Sequence, residues 1–391
     1  MEKNQKPPLP TLPMHLMLSM GTWLASPFAL NAAKNVWPNW NNAQTPSELL
    51  EALGEEAKKR AREMLAGISR YLETPYTRDA KEPPVLWKTG NARLLDYGEK
   101  APSIPILFVP SLINRYYILD LKKERSFLRY LASQGLRPIV LDWGAPGKKE
   151  ADFDLEAYTS EILLPAIDYL YAHTGEKIAL AGYCMGGVLA IAAAQLDRKK
   201  VSSLSLFATP WDFHCKQFAP FVVEPGWHRM IDSLLSNQPL MPADVVQSLF
   251  YMTDPWVFEN KFRRFFGMNP ASNAAQNFIA LEHWVNDGIP MTARVARDCL
   301  LGWAQQNWLA DGKWIMAGNT INPRKLNLPT FIAIPKNDHV VPFDCAWPLA
   351  DMIKNATVLQ PSAGHVGMIV GQHAKRELWE PFAEWLRRIT P

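Results

Sequence analysis

The segment Gly182-Tyr183-Cys184-Met185-Gly186 sets a thiol between two glycines at two-residue spacing, and Asp338 and His365 lie far downstream, each in a polar loop. A thiol, an imidazole and a carboxylate are the parts of a nucleophilic relay. The imidazole takes the thiol proton, and the carboxylate fixes the tautomer of the ring and stabilises its cationic form. The natural target of such a set is an acyl carbon. The glycines carry much of the argument, because a nucleophile on a sharp strand-to-helix corner is strained and a Cβ at either neighbour collides with strand or helix. The thiol of Cys184 then stands over a helix N-terminus, whose N–H groups and dipole favour a thiolate. A cysteine by itself is more simply a small buried apolar residue. The flanking glycines and the corner outweigh that reading here.

The chemistry also needs two N–H donors for the oxyanion. The corner supplies the Met185 N–H, directly after the nucleophile, and the loop around Ser111-Leu112-Ile113 supplies the other, assigned to Leu112.

These residues must be held by strands. Residues 177–181 suit a buried parallel strand and residues 188–194 a helix packed closely on it. Upstream, residues 85–88 and 92–97 read as a hairpin around Gly90, and from Pro105 apolar strands alternate with amphipathic helices. Strands are expected at 106–109, 138–141, 178–181 and 204–207, and helices over 127–134 and 155–173. Further strands at 329–335 and 356–359 end just before Asp338 and His365, and a closing helix carries Trp379, Phe382 and Trp385 as a packing stripe. This alternation predicts an α/β protein with a mostly parallel, doubly wound sheet, whose ligands sit at the carboxyl ends of the strands. Nucleophile, acid and histidine follow one another in the order of the α/β-hydrolase fold.

Between residues 211 and 327 the alternation stops. Aromatic residues including Trp211, Phe258, Phe262, Phe265, Trp303 and Trp314 are spread among helical segments, which reads as an inserted helical lid whose rings mostly fill its own small core. The domain division expected is an N-terminal, largely helical extension over 1–80 and a catalytic domain over 81–391. Within the extension, a helix starts near Thr45-Pro46-Ser47, and residues 8–33 contain no Asp, Glu, Lys or Arg. That strip is too interrupted for a transmembrane helix and lacks a clear cleavage site; it is read as an arm packed on the body of the protein sooner than as a strip lying on a hydrophobic surface or a partner.

The composition narrows the function. Net charge is +3 over 391 residues with no long basic block, which gives nucleic-acid binding no support. The four cysteines, Cys184, Cys215, Cys299 and Cys345, are far apart with no CxxC pair, against a disulfide framework and against a zinc site. A reducing, cytoplasmic setting fits, and no metal is expected. Arg115 is read as a solvated surface charge rather than a contact to an anionic ligand.

Taken together, several segments resemble the polyhydroxyalkanoate synthase family. Gly182-Tyr183-Cys184-Met185-Gly186-Gly187 looks like its lipase-like box with cysteine in place of serine, and residues 109–121 are similar to its first oxyanion-loop segment. Leu141-Asp142-Trp143-Gly144, Asp338-His339-Val340-Val341-Pro342 and Gly364-His365-Val366 match as well. The resemblance runs from about residue 85 to the C-terminus, while the segment 256–314 departs from the better-known members. It implies that Cys184 carries an acyl chain, that His365 and Asp338 activate thiol and hydroxyl, and that His339 supports them. It also implies polymerisation of (R)-3-hydroxyacyl units from coenzyme A thioesters, with no further cofactor. A polyester granule surface, a homodimer and a second synthase subunit are the partners it brings. A thioesterase or esterase using the same Cys-His-Asp set is the alternative, and a non-enzymatic granule protein a third reading.

Overall fold

The computed structural model describes residues 46–98, 104–236, 238–253 and 256–389. The uncharged strip at 8–33 lies outside the described residues. The chain divides into two compact units, one of which takes residues up to Arg78 together with Asp244–Asn286, and the other Asp79–Ala243 with Asp287–Pro391. The stretch read as one lid therefore contributes to both.

The larger unit is built on an eight-stranded sheet. Its strands are β1 (Val85–Thr89), β2 (Ala92–Asp96), β3 (Pro105–Val109), β4 (Arg137–Asp142), β5 (Ile178–Tyr183), β6 (Val201–Phe207), β7 (Thr330–Ala333) and β8 (Thr357–Leu359). They lie in the order β1-β2-β4-β3-β5-β6-β7-β8. The β1–β2 hairpin turns at Gly90, whose φ of 53° is open to glycine at little steric cost. Only β2 runs against its neighbours β1 and β4; every other pairing is parallel. Strands β3 and β5 are buried along their whole length, which is why both read as unbroken apolar or small-residue runs rather than alternating ones.

Phenylalanines from β3, β6 and β7 tie the sheet to its covering helices. Phe382, from the closing helix Glu380–Ile389, has its ring centre 5.1 Å from Phe207 and 5.4 Å from Phe331. Phe127, at the start of the helix Phe127–Ser133, stacks on Trp379 at 5.9 Å. Such ring pairs contribute about 0.5–1.5 kcal/mol each beyond the area they bury. Trp379, Phe382 and Trp385 are all buried, as the stripe in the sequence predicted.

The helical segment expected over 155–173 is present as Leu155–Tyr158, Thr159–Leu163 and Leu164–Thr174 end to end, with wider π turns in the middle piece. Pro165 lacks the N–H that the carbonyl four residues earlier would accept, so the helix widens there.

The smaller unit has its own core. The helix Pro46–Glu73 contributes Met64, Ile68 and Tyr71, which pack with Phe258, Phe262, Phe265, Ala275 and Ile279. The helices meet at Gly67, where a Cβ would lie 2.2 Å from the Phe262 carbonyl oxygen. Arg70 donates to the carbonyls of Phe265, Phe266 and Met268 at 3.2, 2.9 and 2.7 Å, capping the end of the helix Val257–Phe266 with charge of the sign its dipole favours. The rings at 258, 262 and 265 therefore pack on the N-terminal helix, where the sequence reading had them filling a core internal to the lid.

Candidate active site

Strand β5 ends at Tyr183, and the helix Met185–Leu196 begins two residues later, so Cys184 alone makes the corner. Its φ and ψ are 55° and −127°, a sparsely populated region for a residue with a side chain and worth about 1–3 kcal/mol of strain. The surroundings over-determine it. The Cys184 N–H donates to the Phe207 carbonyl at 2.8 Å, and the Cys184 carbonyl accepts from Gly187 at 2.9 Å. A Cβ at Gly186 would stand 2.0 Å from the Val109 carbonyl oxygen, and one at Gly182 would stand 2.3 Å from the Gly187 Cα. Both clashes are with backbone, which cannot rotate away. Glycine at these two positions is thus a packing requirement of the corner.

The loops after β7 and β8 bring the other two groups to Cys184. The His365 Nδ1 is 2.8 Å from the Asp338 Oδ2, and both residues are buried. The second Asp338 oxygen accepts the N–H groups of Val340 and Val341, each at 2.8 Å, so the carboxylate is fully engaged and cannot swing. Burial alone would lower the imidazole pKa, but the charges of Asp338 and of Cys184 as thiolate, with the hydrogen bond to Asp338, outweigh it and raise His365 to about 10. The arrangement favours the charged imidazolium at His365. Tyr183 backs the ring, with centres 5.1 Å apart and its hydroxyl donating to the His365 carbonyl at 3.4 Å.

His339 is not part of this group. The turn that aims the Asp338 carboxylate at the N–H groups of Val340 and Val341 leaves His339 exposed, and its backbone carbonyl accepts from Gln217 Nε2 at 3.4 Å. The supporting role read for it from the sequence has no counterpart in these contacts.

The two N–H groups singled out as oxyanion donors lie on loops that face each other across paired strands, with Val109 opposite Gly182. Met185 is the first residue of its helix, where N–H groups lack an intrahelical acceptor. The Leu112 N–H has no hydrogen-bond partner among the described residues, whereas its neighbour Ile113 donates to the Ser111 hydroxyl at 3.2 Å. The Ser111 Oγ in turn lies 4.0 Å from the Met185 sulfur.

Several residues that hold this loop were not singled out from the sequence. Trp143, after β4, donates its indole N–H to the Pro110 carbonyl at 3.0 Å. Asp287 accepts from Arg115 Nε at 3.2 Å and from the Tyr117 hydroxyl at 2.9 Å. Arg115 is thus half-buried in an ion pair and not the freely solvated charge read from the sequence. These partners lie tens to more than a hundred residues apart in the chain, so no local spacing announces them. Among the described residues no three His, Cys, Asp or Glu side chains are grouped to hold a metal ion, and no helix is long and apolar enough to cross a membrane.

A strand order with one reversed member near the edge, a cysteine on the corner after β5, and a hydrogen-bonded aspartate and histidine on the loops after β7 and β8 define a class. The chain belongs to the alpha/beta hydrolase fold family, whose sequence profile matches residues 104–372. A crystal structure of a bromoperoxidase from Bacillus anthracis shares the fold, with a TM-score of 0.50 at 16% identity, over 76% of this chain and 95% of that one. In sequence the chain is similar to the poly(3-hydroxyalkanoate) polymerase subunit PhaC of Haloferax mediterranei, 28% identical over 319 residues, covering 77% of this chain and 63% of that protein. It is also similar to the subunits of the same name from Haloarcula marismortui (28% identical, 73% of this chain, 61% of that protein) and Allochromatium vinosum (25% identical, 73% and 81%). The chain thus spans about three fifths of the length of the two haloarchaeal relatives.

Proposed function

We propose that this protein is a polyhydroxyalkanoate synthase-like acyltransferase that joins (R)-3-hydroxyacyl units from their coenzyme A thioesters into polyester. The observation that carries the reading is a cysteine, not a serine, on the hydrolase corner, close enough to a buried, hydrogen-bonded histidine–carboxylate pair to raise the imidazole pKa. The polymerase relatives support it.

In the proposed sequence the Cys184 thiolate attacks the thioester carbonyl, and the developing oxyanion is met by the N–H groups of Met185 and Leu112. The coenzyme A sulfur leaves with the proton held by His365. The acyl group now sits on Cys184 as a second thioester, so its activation is conserved. His365 then takes the proton of a bound 3-hydroxyl, which attacks the acyl-cysteine. An ester forms, the C–S bond breaks, and the imidazolium again faces a thiolate. Asp338 holds the tautomer throughout. Water in place of the hydroxyl would turn the same machinery into a thioesterase.

No resident cofactor enters this scheme; coenzyme A is part of the substrate and leaves as product. The same reading puts the protein in the cytoplasm at a granule surface, as a homodimer or with a second synthase subunit.

The test is incubation of purified protein with (R)-3-hydroxybutyryl-CoA. The reading expects loss of thioester absorbance together with insoluble polyester. Free 3-hydroxybutyrate without polymer would replace it by a thioesterase, and turnover unchanged in Cys184→Ala would remove the cysteine mechanism altogether.

A further inference from the structure

The segment that returns to the larger unit after the helix Asn273–Asn286 runs alongside the loop that offers the Leu112 N–H, and it is fastened there at successive residues. Ile289 N–H donates to the Ile113 carbonyl at 3.2 Å, and Gly288 forms an antiparallel bridge with Asn114. Asp287 then takes Arg115 on one carboxylate oxygen, at 3.2 Å, and the Tyr117 hydroxyl on the other, at 2.9 Å. The backbone bonds fix the path of the loop. The carboxylate fixes its far end, because both of its partners come from the residues that leave the loop toward the short helix Tyr116–Leu119.

From this we infer that Asp287 is a positioning residue for acyl transfer: it holds the 112–117 loop at the height where the Leu112 N–H meets the oxyanion. The physical reason is the steep geometric demand of such a donor, which is useful only within hydrogen-bond distance of the charge as it develops. The 112–117 loop has no strand ladder of its own to set that distance. Here a carboxylate gripping both an arginine and a tyrosine sets it, and the grip is specific in direction because each oxygen has its own donor. Tyr117 is buried and Arg115 half-buried, so both bonds to the carboxylate are at least partly shielded from water.

The inference rests on the proposed roles of Cys184 and the Leu112 N–H, and not on the choice of acceptor or of coenzyme A. Its test therefore uses p-nitrophenyl acetate, which acylates Cys184 and needs the oxyanion donors, beside iodoacetamide, which alkylates the same thiolate without forming an oxyanion. Asp287→Ala should slow release of p-nitrophenolate about tenfold to a hundredfold, through kcat with KM little changed, while alkylation stays within about twofold of wild type. Asp287→Asn, which keeps an acceptor oxygen in place, should recover part of the loss.

Equal acylation rates in wild type and a folded Asp287→Ala would overturn the proposal, and so would a parallel fall of alkylation, which would mean that the whole site is disturbed. Should Asp287→Ala not fold, Tyr117→Phe decides: a selective loss of acylation supports the clamp, and wild-type acylation rejects it. Normal ester chemistry with no polymer from hydroxyacyl-CoA would instead reject only the polymerase reading. A wild-type thiol that neither reagent modifies would reject both.

Discussion

Two loops meet at Cys184, and different physics holds each. The nucleophile corner is fixed by what cannot fit: its strained φ and ψ persist because Gly182 and Gly186 sit against backbone atoms that cannot move aside. The facing loop is fixed by what is gripped: Trp143 holds the Pro110 carbonyl, and Asp287 holds Arg115 and Tyr117. Steric exclusion is all-or-none and insensitive to solvent. Polar grips are graded, and the partly exposed Arg115–Asp287 pair is open to screening by salt. One side of the site is therefore rigid by construction, and the other is tuned.

Substitutions can break or sharpen that contrast. The largest effect belongs to the group both sides serve: His365→Ala should cost about three to four orders of magnitude in acyl transfer with an unchanged thermal transition. Near-normal turnover would show that another base does the work. On the corner, Gly186→Ala should reduce the unfolding free energy by ~3 kcal/mol, read from denaturant midpoints, because the added methyl meets a carbonyl with no room to yield. An unaltered midpoint would mean that the corner is softer than argued. On the gripped side, Trp143→Phe keeps the ring and loses the N–H. It should lower kcat about tenfold with little change in stability, a graded loss where the corner gives an abrupt one.

The smallest effect is a titration. Cys184→Ala removes two of the influences that raise His365, so its pKa should fall below the value of about 10, read from the imidazole proton resonances. The sign for stability follows. A folded pKa raised above the unfolded value of about 6.5 adds stability that is complete below that pH and fades as the pH climbs through the folded value. In Cys184→Ala this alkaline loss should start in the same range but be smaller, and be complete at a lower pH than in wild type. An unshifted resonance would mean that thiolate and imidazolium do not interact.

The same contrast explains what was legible in the sequence. The corner announces itself, because Gly-x-Cys-x-Gly between an apolar run and a small-residue helix is local, and steric demands act between neighbours in the chain. Asp338 and His365 were legible because parallel strands deliver their following loops to one edge, whatever the rest of the molecule does. The grips were not. Trp143 and Pro110 are separated by 33 residues and Tyr117 and Asp287 by 170, and nothing in either stretch specifies the other. The packing of Phe258, Phe262 and Phe265 repeats the lesson, since the sequence showed aromatic residues among helical segments but not the N-terminal helix on which they pack. His339 shows the opposite case. The family resemblance implied a supporting role for it, while the turn that fixes Asp338 leaves its neighbour exposed.

The central claim is that acyl groups pass through the Cys184 sulfur. The direct measurement is brief reaction with (R)-3-hydroxybutyryl-CoA, acid quench, and peptide mapping by mass spectrometry. The account predicts a hydroxyacyl adduct on the peptide carrying Cys184, absent in Cys184→Ala and accumulating in proportion to the coenzyme A released early in the reaction. Coenzyme A release with the acyl group on another residue, or undiminished release from Cys184→Ala, would contradict it.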